Sequence, residues 1–282
     1  MPPAEPPPAP PSPTAPTASA PTAAPAHTTK PALHLRTTGP AGSVRTAVVW
    51  EVLSAVLAET DPDGNGLDVL DAGGGTGGFA VPLAAAGHRV TVVDPSPDSL
   101  AALQRRAAEA ELTGSVVACQ GELADLPGLV GGASADLVLC HSVLEVVDDP
   151  GEALAAVAAV LRPGGRLSLL VANRAAAVLA RAVAGHPDEA ARALHHPDGQ
   201  WGPADGVRRR FTIDQLTRLL HATGLEVEQL HGVRVVADLV PSAAVDTEPG
   251  AAVALLALER ALSDREPFRD IATQLHLLAF RR

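Results

Sequence analysis

Cysteine, aromatic residues and positive charge are all scarce in this 282-residue chain. Its two cysteines, Cys119 and Cys140, lie inside apolar runs, which excludes a disulfide scaffold or a cysteine zinc site and predicts reduced thiols in the cytoplasm. No apolar run approaches the roughly 18 residues of a membrane-spanning helix. The formal net charge of −11 disfavours a DNA-coating protein, because such proteins displace counterions with surplus Lys and Arg.

The first 32 residues contain twelve prolines and no Leu, Ile, Val, Phe or Trp. Such a segment buries too little apolar surface to offset the entropy of ordering, so we predict an extended, disordered tail over residues 1–40. It lacks the basic start and apolar centre of a signal peptide. A proline-rich docking ligand is the alternative interpretation. Residues 41–282, within a chain that is 46% hydrophobic, are expected to form one domain.

Beyond the tail, short apolar runs alternate with helical patterns. The predicted strands are 67–72, 89–93, 115–120, 136–141, 166–172, 225–230 and 271–280. The predicted helices are 44–59, 79–86, 97–112, 151–161, 212–223 and 249–262. Ser96 and Thr212 are predicted N-caps, and residues 162–165 (Arg-Pro-Gly-Gly) are predicted to stop a helix. This alternation predicts an α/β fold with a parallel sheet covered on both faces.

A glycine-rich loop, Gly73 to Gly78, follows the first predicted strand. Gly73, Gly75 and Gly78 match G-x-G-x-x-G, and Gly77 also gives G-x-G-x-G. Ligands of open α/β sheets bind at the carboxyl ends of strands, so the loop marks a candidate binding site. By themselves the glycines indicate only that a ligand approaches the backbone closely.

Three acidic residues lie at or just after the ends of the first three predicted strands. Asp71 would repel the diphosphate of a dinucleotide and suits a ligand with positive groups, such as the ammonium and sulfonium of S-adenosylmethionine; the alternative is a turn-capping role. Asp94 lies 21 residues after Gly73, where an acid accepts hydrogen bonds from ribose hydroxyls. Glu122 is placed to reach the adenine amino edge, with Leu123 against the ring, or else is a solvated loop acid.

The sequence V-L-D-A-G-G-G-T-G at 69–77, the acid ending the second strand and L-R-P-G-G before the fifth resemble class I S-adenosylmethionine-dependent methyltransferases. This resemblance covers about residues 44–282. It implies a Rossmann-like fold with a seven-stranded, mostly parallel sheet, an antiparallel last strand and helices on both faces. It also implies S-adenosylmethionine as the cofactor.

Four further segments resemble the bacterial tRNA carboxymethoxyuridine methyltransferase family: G-S-V-R at 42–45, H-S-V-L-E at 141–145, G-V-R-V at 232–235 and R-E-P-F at 265–268. By that resemblance the methyl acceptor is a carboxylate of a modified wobble uridine in tRNA. The implied cofactor-binding residues, with Gly75 from the glycine loop, are Arg45, Gly73, Gly74, Gly75, Asp94, Gly121, Glu122 and His141.

Roles for the basic residues follow from their chemistry. Arg45 is suited to pair with the methionine carboxylate of the cofactor, and His141 to position the reacting groups or act as a base. Arg234 is the candidate for binding the acceptor carboxylate, and residues 208–210 (three arginines) form a candidate patch for substrate phosphates. A solvated surface role is the alternative for each arginine, and a structural role is the alternative for His141.

A carboxylate acceptor is ionised at neutral pH and needs no general base, so no catalytic residue is assigned. No metal site or membrane contact is predicted. Two alternatives stay open. One is a small-molecule methyltransferase of the same fold, which the acidic net charge favours. The other is a non-catalytic binding module that acts through the proline-rich tail.

Overall fold

A computed structural model describes Met1 and residues 40–241, 243, 245 and 249–282, with side chains from residue 46 onward. The chain divides into two units, Met1–His34 and Leu35–Arg282, and the elements below belong to the second. Residues 2–39 of the predicted tail lie outside the described residues, so that tail stays a prediction. None of the helices in the described part is both long and apolar enough to cross a membrane.

The strands alternate with helices as the sequence predicted. The strands are β1 (Asp68–Ala72), β2 (Arg89–Asp94), β3 (Val116–Gln120), β4 (Ala135–His141), β5 (Leu161–Ala172), β6 (Leu225–Val233) and β7 (Gln274–Arg281). The helices are α1 (Pro40–Thr60), α2 (Ala80–Ala85), α3 (Pro97–Glu109), α4 (Leu126–Val130), α5 (Pro150–Val160), α6 (Arg174–Val183), α7 (Pro187–His195), α8 (Ile213–Ala222) and α9 (Ala251–Leu262).

All seven strands form one sheet in the order β3-β2-β1-β4-β5-β7-β6. The pairs from β3 to β5 are parallel, whereas β7 runs antiparallel to both β5 and β6. The expected class I methyltransferase fold, with its antiparallel last strand, is therefore confirmed. Strand order reverses between β1 and β4, which places a ligand-binding crevice at their carboxyl ends.

Two predicted helix starts are confirmed by their capping bonds. Ser96 caps α3 by accepting a 3.2 Å hydrogen bond from the Ser99 amide, and Pro97 occupies the first turn. Thr212 and Gln215 form a capping box at α8, in which each side chain accepts from the other residue's amide. Both caps satisfy amides that the first helical turn leaves unpaired.

Two predictions about the middle of the chain need correction. The helix before residues 162–165 does end at Val160, but β5 begins at Leu161, which pairs with Ala135, and not at Arg166. The turn residues are accommodated by a register shift in the β4–β5 ladder, with Gly164 at φ +76°. Helices α6 and α7 also occupy a stretch between β5 and α8 where no element was predicted.

The main core fills the space between the sheet and α5 and α8. Leu154 and Val157 of α5 and Leu216 of α8 are fully buried there against inward residues of β4 and β5. The opposite face of the sheet packs against α1, where Val49 and Leu53 are fully buried. Because both faces are covered, the strand ends at the crevice are held rigidly.

Candidate functional site

The glycine loop turns sharply at the carboxyl end of β1. Gly73 has φ +74° and donates a 2.7 Å hydrogen bond to the Val93 carbonyl at the end of β2. A Cβ atom at Gly73 would lie 2.4 Å from Cγ2 of Val143, which is closer than real contacts allow. The loop backbone is therefore confined between β1, β2 and the segment after β4.

Asp71 lies beneath this loop. It is 3% exposed, and a Cβ at Gly74 would lie 2.4 Å from its Oδ2. That Oδ2 is buried without a hydrogen-bond partner among the described residues. Burial, and secondarily the charge of Asp94, raises the pKa of Asp71 to about 7. A buried carboxyl with an unpaired oxygen fits a ligand that brings a positive group to it.

Asp94 ends β2 with both carboxylate oxygens engaged. Oδ2 accepts from the Gly75 amide and Oδ1 from the Ser96 amide, each at 2.9 Å. Because an ionised carboxylate offers about four lone-pair sites, each oxygen can still accept a ligand hydroxyl. The two amides fix the carboxylate at the mouth of the glycine loop, where the sequence predicted a ribose contact.

Gly121 and Glu122 follow β3 on the same edge of the sheet. The Gly121 amide lies 3.3 Å from the Asp94 carbonyl, and a Cβ there would meet Leu129 at 2.4 Å. Glu122 is exposed and free to reach a ligand edge. Leu123, in contrast, is 4% exposed and packs in the core, so little of its side chain is open to a ligand, and its contact with the adenine ring stays a prediction.

Helix α1 reaches the crevice through a row of rings. Trp50 stacks on Phe79 with centroids 4.6 Å apart, and Phe79 meets the His141 ring edge-on at 4.7 Å. Arg45 lies on α1, but its side chain is outside the described part of the structure. Its pairing with the cofactor carboxylate stays a prediction.

His141 ends β4, and its ring is held from within the sheet. Nε2 lies 2.9 Å from Oγ of Ser168 on β5, and that Oγ lies 2.8 Å from Nε2 of His276 on β7. Nδ1 of His141 is buried and has no partner in the described chain. Burial lowers the pKa of His141 to about 3, so the ring is neutral near pH 7 and is a weak base. This environment favours positioning over proton transfer.

A cavity of about 930 Å³ opens beside the crevice at the carboxyl ends of β4, β5 and β6. One wall is aliphatic and comes mainly from α6 and the segment after β6. Its lining side chains include Ala176, Ala177, Leu179, Ala180, Val183, Val235 and Leu239. The polar lining includes Ser142, Glu145, Asn173, Arg208, Arg234 and Gln274. Apolar walls with a few convergent polar groups are typical of small-ligand sites.

Arg234 lines this cavity but is already paired. Its Nε donates a 2.8 Å hydrogen bond to Oδ2 of Asp238, and Nη2 donates to the same oxygen. Nη1 lies 3.4 Å from Oε1 of Gln274, whose amide nitrogen donates to Oγ of Ser142. Arg234 and Ser142 both have positive φ, +61° and +58°. An acceptor carboxylate would therefore share this guanidinium with Asp238.

The three arginines at 208–210 are tied to the protein itself. Arg210 makes two hydrogen bonds to Asp205, of 2.6 and 2.8 Å, and Arg209 donates to Asp198 at 3.0 Å. Arg208 donates to the Val146 carbonyl at 2.9 Å, yet its side chain is 62% exposed. Of this triplet, Arg208 has the side chain most open to a substrate phosphate.

Glu145 lines the same cavity, although its place in the sequence predicted no role for it. It is 6% exposed; Oε1 accepts a 2.7 Å hydrogen bond from the Ala172 amide, whereas Oε2 is buried and unpaired within the described residues. Burial raises its pKa. In the sequence, the signal for Glu145 is its place as an acid four residues after the end of β4, within the H-S-V-L-E segment that resembles the tRNA methyltransferase family.

Comparison with known proteins gives consistent results. A family profile described as methyltransferase domain matches residues 45–230. A tRNA 5-carboxymethoxyuridine methyltransferase of Escherichia coli (strain K12) is 31% identical over 246 residues, covering 84% of this chain and 88% of that protein. A ubiquinone biosynthesis O-methyltransferase of Xanthomonas euvesicatoria is 32% identical over 170 residues, covering 60% and 66%.

Among solved structures, magnesium protoporphyrin IX methyltransferase from Synechocystis PCC 6803, with bound SAH, matches with a TM-score of 0.55. Its sequence identity is 18%, and the match covers 87% of this chain and 89% of that one. At this identity the likeness concerns the fold alone.

Proposed function

The chain belongs to the methyltransferase-domain family, and on that premise we propose that it methylates a carboxylate of a modified wobble uridine in tRNA. The chain is an S-adenosylmethionine-dependent methyltransferase. The acceptor is the proposed part, and its support is the E. coli relative, 31% identical across most of both chains. A tRNA substrate would also place the activity in the cytoplasm.

S-adenosylmethionine supplies a methyl group bonded to a positively charged sulfur. The observation that best fits this cofactor is Asp71, whose buried Oδ2 lies beneath Gly74 and finds no hydrogen-bond partner in the part of the chain that the structure describes. We assign Asp71 to the positive end of the cofactor and Asp94 to its ribose hydroxyls. Arg45 is assigned to its carboxylate and Glu122 to its adenine.

The remaining assigned residues shape the site. Gly73, Gly74, Gly75 and Gly121 let the backbone approach the ligand, and His141 positions the reacting end. Burial of the strand ends excludes water, and alignment of the two reactants supplies much of the catalysis, roughly 7–11 kcal/mol in well-oriented systems. Arg234 orients the acceptor carboxylate from the far side of the cavity.

The acceptor is tested directly with labelled S-adenosylmethionine. Total tRNA and a metabolite extract from a strain lacking this protein are incubated separately with the enzyme. We expect label in tRNA, and an altered mass of the wobble nucleoside in the deletion strain. A deletion strain with an unchanged wobble nucleoside would refute the tRNA substrate, and absence of cofactor binding by calorimetry would contradict the enzyme class.

A small-molecule acceptor is the second candidate. The aliphatic wall from α6 and Leu239 favours it, because an apolar cavity of this size suits a largely apolar ligand. Labelling of the metabolite extract but not of tRNA, insensitive to salt, would favour this alternative. Salt weakens tRNA binding because phosphate contacts release counterions.

A further inference from the structure

We propose that Glu145 binds the methyl acceptor as a protonated carboxylic acid and donates a hydrogen bond from Oε2 to the acceptor carboxylate. This inference rests on the proposed function, since it assumes an acceptor that carries a carboxylate. It assigns a role in acceptor binding to a side chain that is not among the residues assigned to the cofactor.

Glu145 is oriented for this contact by the strand next to it. The Ala172 amide, at the carboxyl end of β5, donates a 2.7 Å hydrogen bond to Oε1 and so fixes the carboxyl group. Its other oxygen, Oε2, has no partner in the described structure, although the residue is only 6% exposed. A buried, unpaired oxygen is costly, and an acceptor entering the adjoining cavity can supply the missing partner.

The charged groups around Glu145 do not favour its ionised form. Asp71 on β1 and the thiol of Cys140 on β4 offer no positive charge, and His141 is neutral because burial lowers its pKa to about 3. Burial is also the main cause of the raised pKa of Glu145 itself, and it outweighs the hydrogen bonds from the Glu145 and Ala172 amides, which lower that pKa.

The arginines nearest the cavity each contact another group, although the side chain of Arg208 is largely exposed. Arg208 pairs with Asp148, Arg210 with Asp205 and Arg234 with Asp238. Arg174, at the start of α6, donates to the Pro197 carbonyl. Among the described residues, none of these arginines hydrogen-bonds Glu145. Nε of Arg174 has no partner there, but it lies beside Gly199, where a built Cβ would be 3.0 Å from it.

The protonation state of Glu145 distinguishes two classes of acceptor. Two adjacent carboxylates cannot easily both be ionised, so a protonated Glu145 and an ionised acceptor share one hydrogen bond. An acceptor carboxylate would form the new oxygen–carbon bond to the methyl group with its own electron pair. The sulfur of the cofactor would keep the electron pair of the broken sulfur–carbon bond, and no proton would be released. A hydroxyl acceptor would lose a proton, which an ionised Glu145 would have to take.

The test compares Glu145→Gln with Glu145→Ala, with Glu152→Gln as a matched control on an exposed residue of α5. A glutamine amide still accepts from Ala172 and donates to the acceptor, so we expect Glu145→Gln to keep most of kcat/KM for tRNA. Alanine should lower kcat/KM roughly 10- to 100-fold, since it removes a hydrogen bond to a charged group. Wild-type kcat/KM should fall as pH rises through the pKa of Glu145, and Glu145→Gln should lack that fall.

A second readout does not depend on activity. Infrared difference spectra of wild type against Glu145→Gln should show a protonated carboxyl band at neutral pH, and thermal unfolding should show that both variants fold. Loss of activity in Glu145→Gln, with wild-type activity rising with pH and an ionised carboxylate band, would overturn the proposal in favour of a base. If the wild type labels no tRNA, the proposed function fails instead, which is a separate result.

Discussion

The cofactor crevice and the acceptor cavity adjoin each other but are built in different ways. The crevice is made of strand ends and loop backbone, with Asp71 beneath the glycine loop that follows β1 and Asp94 hydrogen-bonded to that loop. The cavity is made of side chains from α6, the loop before α8 and the segment after β6. Backbone geometry therefore fixes what the crevice binds, whereas side-chain identity determines what the cavity accepts.

The largest expected effect comes from crowding the crevice. In Gly74→Ala the new Cβ would lie 2.4 Å from Oδ2 of Asp71, so the loop must move. We expect S-adenosylmethionine affinity to fall about 100-fold, because overpacking that shifts the backbone costs roughly 1–3 kcal/mol. Gly78→Ala is the matched control, since a Cβ there meets nothing within 4 Å. Calorimetry showing equal affinities for the two variants would contradict a crevice defined by backbone.

The second-largest effect is expected from removing the charge of Asp71, beneath the glycine loop. Asp71→Asn should weaken S-adenosylmethionine binding about 30-fold, because it removes a charged partner of the cofactor's positive end. The free protein should lose little stability or gain some, since the buried carboxylate has an oxygen, Oδ2, without a partner among the described residues. Calorimetry and denaturant unfolding measure the two effects. Unchanged cofactor affinity in the variant would show that Asp71 does not interact with the positive end of the cofactor.

The pH dependence of stability follows from the same carboxyl. The folded-state pKa of Asp71 is raised to about 7, above its ordinary value of 3.8, so the folded protein holds the proton more tightly. The unfolding free energy of the cofactor-free protein should therefore decrease as pH rises from about 4 to 7. In chemical-denaturation curves, Asp71→Asn should show a smaller decrease. The pKa of Glu145 is also raised, so Glu145 should account for part of the decrease that the variant still shows. An equal decrease in the variant would argue against a raised Asp71 pKa.

The smallest expected effect is confined to the acceptor cavity. Arg234→Ala should lower kcat/KM for tRNA about tenfold, because the guanidinium is shared with Asp238 and contributes less than a free charge. Cofactor affinity should stay unchanged, as it should for the exposed-surface control Arg105→Ala. If Arg234→Ala weakened cofactor binding and tRNA methylation equally, the two sites could not be treated as separate.

The sequence predicted the crevice far better than the cavity. The glycine loop and the two acids follow from local patterns, because each residue lies within a few positions of a strand end. The cavity brings together Ser142, Asn173, Arg234 and Gln274, which are far apart in the chain. Their meeting depends on the antiparallel β7, which was expected, and on α6, which was not predicted from the sequence. Likewise, Ser168 in a buried strand gave no sign that it joins two histidines.

That serine has a consequence for the histidines on either side of it. A hydroxyl carries one hydrogen, so when Ser168 donates to one imidazole, the other imidazole must donate to Ser168. The neutral rings of His141 and His276 are then opposite tautomers, one with its hydrogen on Nε2 and the other with its hydrogen on Nδ1. The two hydrogen bonds that link His141, Ser168 and His276 therefore point in the same direction across β4, β5 and β7. A ligand that changes the tautomer of His141 would reverse the direction of both hydrogen bonds, and so would change the tautomer of His276 on β7.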